Sequence, residues 1–279
     1  MATSTHTRDD LTPAPLRAVE ELGTQVWFYA RCYGLIPFAV TRYRREILRL
    51  LAEVSFGTGA LAVIGGTVVI SSFLTAFAGI EIGIQGYDQL SNLGVEALSG
   101  FVSAYINTRL AAPIIAGIGL VATIGTGFTA QLGAMRISEE IDAIEVMGLS
   151  SVPFLVSTRI VAGCIAIIPL YGLALLASYL STQAVVTFAF DQSGGAYRHY
   201  FEAFLIPRDI VSSFVMVLLM ALVAMSIHCY YGFFASDGPA GVGRAVGRAV
   251  RLSLIAVLFT NLIMSLVLYG NADTVNISG

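Results

Sequence analysis

The chain has 279 residues, 56% of them hydrophobic and 12% charged, with a formal net charge of −3. Uninterrupted apolar runs exceed the roughly 20 residues that a helix needs to cross a bilayer, so we predict an all-α polytopic membrane protein. The small net charge, with arginines grouped beside the apolar runs, argues against nucleic-acid binding.

The first 51 residues precede the apolar runs and divide into two parts. Residues 1–15 form a polar tail without the apolar centre of a signal peptide, which predicts a cytoplasmic N-terminus. Residues 16–51 mix aromatic side chains such as Trp27 with several arginines, and Pro37 is the expected break. Such a region suits an amphipathic helix at the membrane interface. A helix that only packs against the membrane bundle is the alternative.

Residues 52–270 form the predicted membrane domain, and residues 271–279 form a C-terminal tail. Between the first two spans, the semi-apolar piece Leu93–Ile106 is either an outer-leaflet helix or an early start of the second span. An odd number of spans places the two termini on opposite sides of the membrane. The five predicted spans are Val54–Ile80, Leu110–Met135, Ile160–Phe190, Ile210–Phe234 and Leu252–Tyr269.

The arginines indicate the orientation of these spans. With the N-terminus inside, only Arg109, Arg198 and Arg208 face outward, and all other arginines face inward. Cytoplasmic loops of membrane proteins carry the excess of positive charge. We therefore expect an extracytoplasmic C-terminus.

An acidic segment, about residues 138–149, lies between the second and third predicted spans. Ser138 is a good N-cap, and Gly148 is placed to end a helix. The segment should therefore form a helix of about three turns. Its position on the cytoplasmic side makes it accessible to a soluble partner.

Two stripes run along this acidic helix, because successive residues are about 100° apart. Ile141, Ile144 and Met147 form an apolar ridge. This combination is typical of an element that docks to another protein, and a solvated linker helix at the membrane surface is the alternative. The acidic flank consists of Glu139, Asp142 and Glu145.

Little else in the chain points to chemistry. The predicted spans contain no Asp, Glu or Arg, which disfavours an ion-coupled transporter. We interpret His228 as an interfacial hydrogen-bonding residue and Asn261 as an interhelical contact. No spacing typical of a nucleophile, a carboxylate pair or a metal site occurs, so no catalytic residue and no metal ligand is predicted. All basic residues other than histidine are arginine, so a Walker A motif is impossible and any ATP must bind another chain.

The segment Thr129–Leu149 resembles the signature of the MlaE/YrbE permeases of Mce-associated ABC lipid transporters. The resemblance extends through nearly the whole chain and includes the element from Pro153 to Arg159. It implies five spans, an N-terminal interfacial helix and a cytoplasmic coupling helix in the bacterial plasma (inner) membrane. It also implies a non-catalytic subunit that binds no cofactor itself, with ATP and Mg²⁺ on a partner ATPase.

The resemblance assigns two groups of residues. The acidic helix becomes the coupling helix, which fits into a groove of the cytoplasmic ATPase, and its expected contact residues are Glu139, Glu140, Asp142, Ala143, Glu145, Met147 and Gly148. By family analogy, spans one and five and the start of span two line a lipid cavity. The candidates there are Ser71, Phe73, Leu74, Arg109, Leu110, Asn261 and Met264.

The chain also departs from the family pattern, which carries Arg-Glu at the start of span two and a further Arg and Glu along it. Arg109 is kept, whereas Leu110, Thr123 and Gln131 occupy the other positions. This suggests one of two unlike permease subunits in a heterodimer. The absence of lysine together with the resemblance to YrbE pairs favours a B-type YrbE of an actinobacterial Mce system, with Mce proteins forming the lipid conduit. The lipid and the direction of transport stay open. A membrane scaffold that recruits a soluble protein without transport is the main alternative, and a secondary transporter is a weaker one.

Overall fold

In the computed structural model, the described residues are 14–56 and 66–270, and no strand occurs among them. This confirms the all-α prediction. The helices of the described part are α1 (Ala14–Gly34), α2 (Ile36–Arg42), α3 (Arg44–Phe56), α4 (Gly66–Ser91), α5 (Glu96–Ile137), α6 (Glu140–Val146), α7 (Val152–Ala189), α8 (Gly194–Phe204), α9 (Pro207–Phe233) and α10 (Gly238–Tyr269). Five of them, α4, α5, α7, α9 and α10, are long and apolar enough to cross a membrane.

The predicted first span, Val54–Ile80, has the wrong bounds. The helix α4 continues to Ser91, and residues 57–65 lie outside the described part of the chain. The apolar run ends at Glu81, but the helix does not, because Gln85 Nε2 donates a hydrogen bond to Glu81 Oε1 one turn earlier (2.5 Å). An i to i+4 pair of this kind stabilises a helix beyond its apolar part.

The second span is much longer than predicted. The 42-residue helix α5 starts at Glu96, so the early-start interpretation is confirmed for the part of Leu93–Ile106 from Glu96 onward. A helix of this length measures about 60 Å, twice the hydrocarbon thickness. Two π-helical segments, Ser103–Ala111 and Val121–Gly125, interrupt its regular hydrogen bonding. Each wider turn rotates the faces of α5 relative to its neighbours.

The third and fifth spans also begin earlier than their apolar runs. The helix α7 starts at Val152 rather than Ile160, and α10 starts at Gly238 rather than Leu252. In α10 the added turns carry Arg244, Arg248 and Arg251. Hydropathy detects only the apolar part of a helix, which explains the difference.

Small residues allow the spans to approach closely. A Cβ atom at Gly79 would lie 2.5 Å from the Ser178 carbonyl oxygen, which places α4 directly against α7. Thr182 Oγ1 also donates a hydrogen bond to the Gly79 carbonyl oxygen (2.7 Å). On α5, Gly119 contacts Ser71 of α4, and Gly117 lies against α9 and α10. The helix α5 is therefore the centre of the bundle, as expected where small residues mediate packing in a membrane.

The N-terminal region forms three helices that pack against the bundle. Phe28 of α1 is buried, and its ring centroid lies 5.4 Å from that of Tyr230 and 5.3 Å from that of Phe234. Ser157 Oγ donates to the Cys32 carbonyl oxygen (3.0 Å). The break near Pro37 is confirmed, because α2 begins at Ile36. One face of this region therefore packs against the bundle, as the alternative interpretation expects. Trp27 is exposed on another face, so a position at the membrane interface stays a prediction.

The connections define two ends of the bundle. At one end, which we call the α6 end, lie α6, the turn of residues 234–237 between α9 and α10, and the packed part of α1. The helix α8 and residues 92–95 lie at the opposite end. The N-terminal helices and the end of α10 are consequently at different ends of the bundle.

Candidate functional site

The turn that leads into α6 differs from the prediction. Ser138 is not the N-cap of α6. It ends α5, and its Oγ donates to the Ala134 carbonyl oxygen (2.9 Å) and to Glu140 Oε1 (3.0 Å). Glu139 separates the two helices with a φ of 60°, and no side chain caps α6. This left-handed residue turns the chain so sharply that only seven residues, about two turns, remain for the helix.

The end of α6 agrees with the prediction. Gly148 has a φ of +77°, which favours glycine. The Gly148 N–H donates to the Glu145 carbonyl oxygen (2.9 Å), and the Leu149 N–H donates to the Ile144 carbonyl oxygen (3.2 Å). These two bonds form a Schellman motif, which satisfies the last carbonyl groups and fixes the exit of the chain towards α7.

Most of the apolar ridge of α6 faces the protein itself. Ile141 is fully buried in the core, and Ile144 packs against that core. The most exposed large apolar side chains of this segment are instead Val146 (89% exposed) and Met147 (68%). Val146 was not among the predicted contact residues. The ridge thus attaches α6 to the bundle, and a partner could reach only the final turn of this ridge.

Polar contacts join α6 to both neighbouring spans. Arg136 Nη1 of α5 forms an ion pair with Asp142 Oδ1 (2.7 Å). Ser151, immediately before α7, donates a hydrogen bond from its Oγ to Glu145 Oε1. The exposed pair contributes little to stability, but together with Ile141 these contacts hold α6 in one position between α5 and α7.

All predicted contact residues of α6 are accessible. The structure places them on the turn before the helix, on its outer side and on the turn after it. Four carboxylates therefore share the exposed surface of this segment with Val146 and Met147. The residues concerned, all exposed, are Glu139, Glu140, Asp142, Ala143, Glu145, Met147 and Gly148.

A groove of about 560 Å³ adjoins α6. The helix α1 forms one wall of the groove. There the Arg31 Cζ lies 5.4 Å from the ring centroid of Trp27, and Trp27 is 63% exposed. No sequence pattern associates α1 with the acidic helix, because more than one hundred residues separate them. The other residues that line the groove are Phe28, Glu145, Gly148, Leu149, Ser150, Ser151, Val152, Phe233 and Phe234.

The predicted lipid-cavity residues fall into two groups. Ser71, Arg109 and Asn261 are buried between helices. Met264 is half-buried and packs against the core. The exposed candidates lie on the outer surface of the bundle, and they are Phe73 (61% exposed), Leu74 (46%) and Leu110 (42%). None of the seven lines either of the two pockets at the α6 end, of about 560 and about 290 Å³.

Arg109 is already paired inside the protein. Its Nε and Nη2 donate to Asp209 Oδ2 at 2.8 and 2.6 Å. Its Cζ lies 4.3 Å from the ring centroid of Tyr105 and 4.6 Å from that of Tyr269. Only the buried Nη1 has no hydrogen-bond partner among the described residues. Asp209 was missed in the sequence because it is one hundred residues away.

A second buried arginine corrects the prediction of charge-free spans. Arg159 is 3% exposed in α7, and its Nη1 donates to the Leu155 carbonyl oxygen (3.0 Å). Its guanidinium lies 5.8 Å from the ring centroid of Phe128 on α5. No carboxylate in the described part of the chain forms an ion pair with it. Both Arg109 and Arg159 belong to spanning helices because those helices start earlier than their apolar runs.

His228 makes an interhelical hydrogen bond. Thr129 Oγ1 lies 2.7 Å from His228 Nδ1, which joins α5 to α9. His228 is fully buried, so its hydrogen-bonding role is confirmed but its interfacial position is not. Within residues 14–56 and 66–270, no three His, Cys, Asp or Glu side chains are grouped so that they could hold a metal ion.

Comparison with known proteins places these features in one family. Residues 56–267 match the family described as Permease MlaE, which covers more than half of the chain. A probable ABC transporter permease protein of Rickettsia bellii is 27% identical over 191 residues, or 68% of this chain and 74% of the relative. A probable ABC transporter permease protein of Synechocystis is 23% identical over 209 residues, or 75% and 80%. The chloroplastic protein Trigalactosyldiacylglycerol 1 of Arabidopsis thaliana is 27% identical over 199 residues, or 68% and 55%.

Proposed function

This chain belongs to the MlaE permease family, and we propose that it is the transmembrane subunit of an ABC transporter that moves hydrophobic lipids. A separate cytoplasmic ATPase would supply the energy, with ATP and Mg²⁺ bound there and no cofactor on this chain. The relatives named as probable ABC transporter permeases support the ABC part of this proposal. The lipid part is supported by the Arabidopsis relative, whose name contains that of a glycolipid.

The observation that carries the proposal is the way α6 is mounted. Its carboxylates and the exposed pair Val146 and Met147 face outward, while Ile141 is anchored in the core. A protein bound to the outer side of α6 would therefore move α5 through Arg136 and Asp142, and α7 through Glu145 and Ser151. Such a connection can transmit movement only if the partner binds two states of the spans with different affinities. Nucleotide-dependent closure of an ATPase pair would provide that difference.

The distribution of the arginines supports one orientation of the chain. The α6 end carries most of the exposed arginines of the described residues, including Arg45 and Arg248, whereas Arg198 and Arg208 lie at the opposite end. The excess of positive charge favours a cytoplasmic α6 end. We propose a bacterial inner-membrane location with the N-terminus inside and the C-terminus outside.

A second permease chain would complete the lipid cavity. The exposed side chains of α4 and α10 form large apolar surfaces, with Phe73 61% exposed and Phe259 61% exposed. Lipid tails or another permease could cover these surfaces. We propose the latter, as a heterodimer of unlike YrbE-type subunits in an Mce system, so that Leu110 and Phe73 would face a space shared by the two chains. Mce proteins beyond the opposite end would receive or deliver the lipid.

Charge reversal on α6 tests this proposal. We expect Glu140→Arg to reduce recovery of the ATPase with the tagged full-length chain, and the double variant Glu140→Arg/Asp142→Arg to abolish it. Glu202→Arg, an exposed acidic residue of α8 at the opposite end, is the matched control and should retain the ATPase. Equal recovery with the double variant and with the control would contradict the coupling role of α6.

Lipid-dependent ATP hydrolysis distinguishes transport from scaffolding. In the assembled complex of the unmodified chain, added lipid should stimulate turnover. A scaffold that only recruits a soluble protein predicts turnover that is independent of lipid.

A further inference from the structure

A separate polar pocket lies at the α6 end, between α1, α9 and α10. Its volume is about 290 Å³. Gln25 of α1 and Tyr231 of α9 contribute amide and phenol groups, and Arg244 and Arg248 of α10 contribute guanidinium groups. Ligand sites usually measure about 300–1,000 Å³, so this pocket suits a small polar group rather than a folded segment of a protein.

The charges around the pocket do not cancel. Arg244 Nη2 forms an ion pair with Asp237 Oδ2 (3.0 Å), and both side chains are more than half exposed. Arg248 forms no ion pair with any described residue. Among the described lining residues, two guanidinium groups and one carboxylate therefore leave one positive charge without a counter-charge. Arg251 adds a further exposed positive charge on the same face of α10, less than one turn beyond Arg248.

The pocket also lies at a boundary between charge and apolar surface. Directly after Arg251, the same helix exposes Leu252 (44%) and Ile255 (53%). A change from arginine to exposed aliphatic side chains along one helix face marks the level of the membrane interface. Tyrosine is enriched at that level, which agrees with Tyr231 in the pocket wall. A group bound at Arg248 would consequently be at the depth of lipid headgroups.

Among the anions at that depth, arginine side chains favour phosphate groups. A planar guanidinium donates two parallel hydrogen bonds to phosphate oxygens, and arginine is preferred where phosphate is recognised. Basic pockets between transmembrane helices bind anionic lipid headgroups in this way. We propose that the pocket binds the phosphate of an anionic phospholipid headgroup, with Arg248 as the principal ligand and Arg244, Tyr231 and Gln25 as further donors. This site is outside α6 and does not depend on the proposed function.

Lipid binding to the full-length chain in mild detergent tests the site. Native mass spectrometry should show phosphatidylglycerol bound about tenfold more tightly than phosphatidylcholine with the same acyl chains, because the choline ammonium group cancels the net negative charge that attracts the guanidinium groups. Arg248→Gln should remove this preference, and Arg248→Lys should keep part of it. Arg248 makes no ion pair within the described part of the chain, so its replacement is not expected to disturb folding. Arg45→Gln, which removes an exposed arginine of α3 outside the pocket, is the matched control and should bind as the unmodified chain does.

Three results would overturn the assignment. Equal binding of the two lipids would show that the pocket does not select an anionic headgroup. An unchanged preference in Arg248→Gln would place the anionic lipid elsewhere. Inorganic phosphate that stabilises the chain in an Arg248-dependent manner, without any preference for phosphatidylglycerol, would replace the lipid headgroup by a free phosphate ion.

Discussion

Arg109 of α5 and Asp209 of α9 form a nearly buried ion pair, with the Arg109 side chain 5% and the Asp209 side chain 14% exposed. The same guanidinium lies between the rings of Tyr105 and Tyr269. Three spanning helices therefore meet at one cation near the opposite end from α6. The two aromatic rings shield the guanidinium group from water, and the Asp209 carboxylate compensates its positive charge.

Removal of the carboxylate should destabilise the protein. Asp209→Asn leaves Arg109 buried without a counter-charge, and the free energy of unfolding should fall by about 3 kcal/mol. The melting temperature of the full-length chain in detergent measures this effect. Asp237→Asn is the matched control, because it breaks the exposed pair with Arg244, and it should leave the melting temperature unchanged. Equal melting temperatures for the two variants would show that the buried pair contributes no stability.

The two apolar sides of α6 should respond differently to mutation. Ile141→Ala removes a fully buried side chain and should lower the free energy of unfolding by about 2–5 kcal/mol. Val146→Asp changes a side chain that is 89% exposed and should leave thermal stability unchanged while it weakens ATPase recovery. Loss of stability in Val146→Asp would mean that this residue is packed inside the protein rather than available to a partner.

Close packing of α4 on α7 predicts a glycine requirement. In Gly79→Ala the new Cβ atom would lie 2.5 Å from the Ser178 carbonyl oxygen, and the backbone would have to separate, at a cost of about 1–3 kcal/mol. At Gly127 of α5, a new methyl group would have no described atom within 4 Å, so Gly127→Ala should be neutral or stabilising by up to about 1 kcal/mol. Thermal unfolding of both variants measures the difference. A stable Gly79→Ala variant would contradict the described contact.

Cys32 of α1 should be protected from alkylation. It is completely buried, and burial raises the pKa of its thiol from 9.0 to about 12, although the nearby charge of Arg31 lowers it slightly. The thiolate is the reactive form, so N-ethylmaleimide at pH 8 should leave Cys32 unmodified in the folded chain and modify it after denaturation. The unfolded chain releases this proton at a lower pH than the folded chain, so the thiol's contribution to stability should decrease as pH rises from about 9 towards about 12. Rapid labelling of Cys32 in the folded chain at pH 8 would show that α1 does not pack as described.

The number and order of the spans could be predicted, because each apolar run is longer than a bilayer requires. Their ends could not be predicted from hydropathy. Glu81 continues α4 through its bond to Gln85, and α10 begins at Gly238, with Arg244 in its second turn, well before its apolar part. In each case a local hydrogen bond or exposure to water allows the helix to contain a charged residue. Hydropathy does not detect such parts of a helix, because they are not apolar.

The site was predictable to a similar degree. Gly148 ends α6 as expected, because its requirement for a positive φ is local. Ser138 was assigned wrongly because the turn at Glu139 uses a left-handed backbone that its residue type does not indicate. Asp209 and Trp27 were missed because their relation to Arg109 and α6 depends on the packing of helices that are distant in the chain.

The most direct test of the central claim is site-specific photo-crosslinking from Val146 in the assembled complex. A benzophenone side chain at position 146, at the exposed end of α6, should crosslink to the ATPase, whereas the same side chain at Glu202 in α8 should not. This result would place the ATPase on the outer side of α6. Absence of the ATPase from the position-146 products, in a preparation where the ATPase co-purifies with the chain, would contradict the role of α6 as the coupling helix.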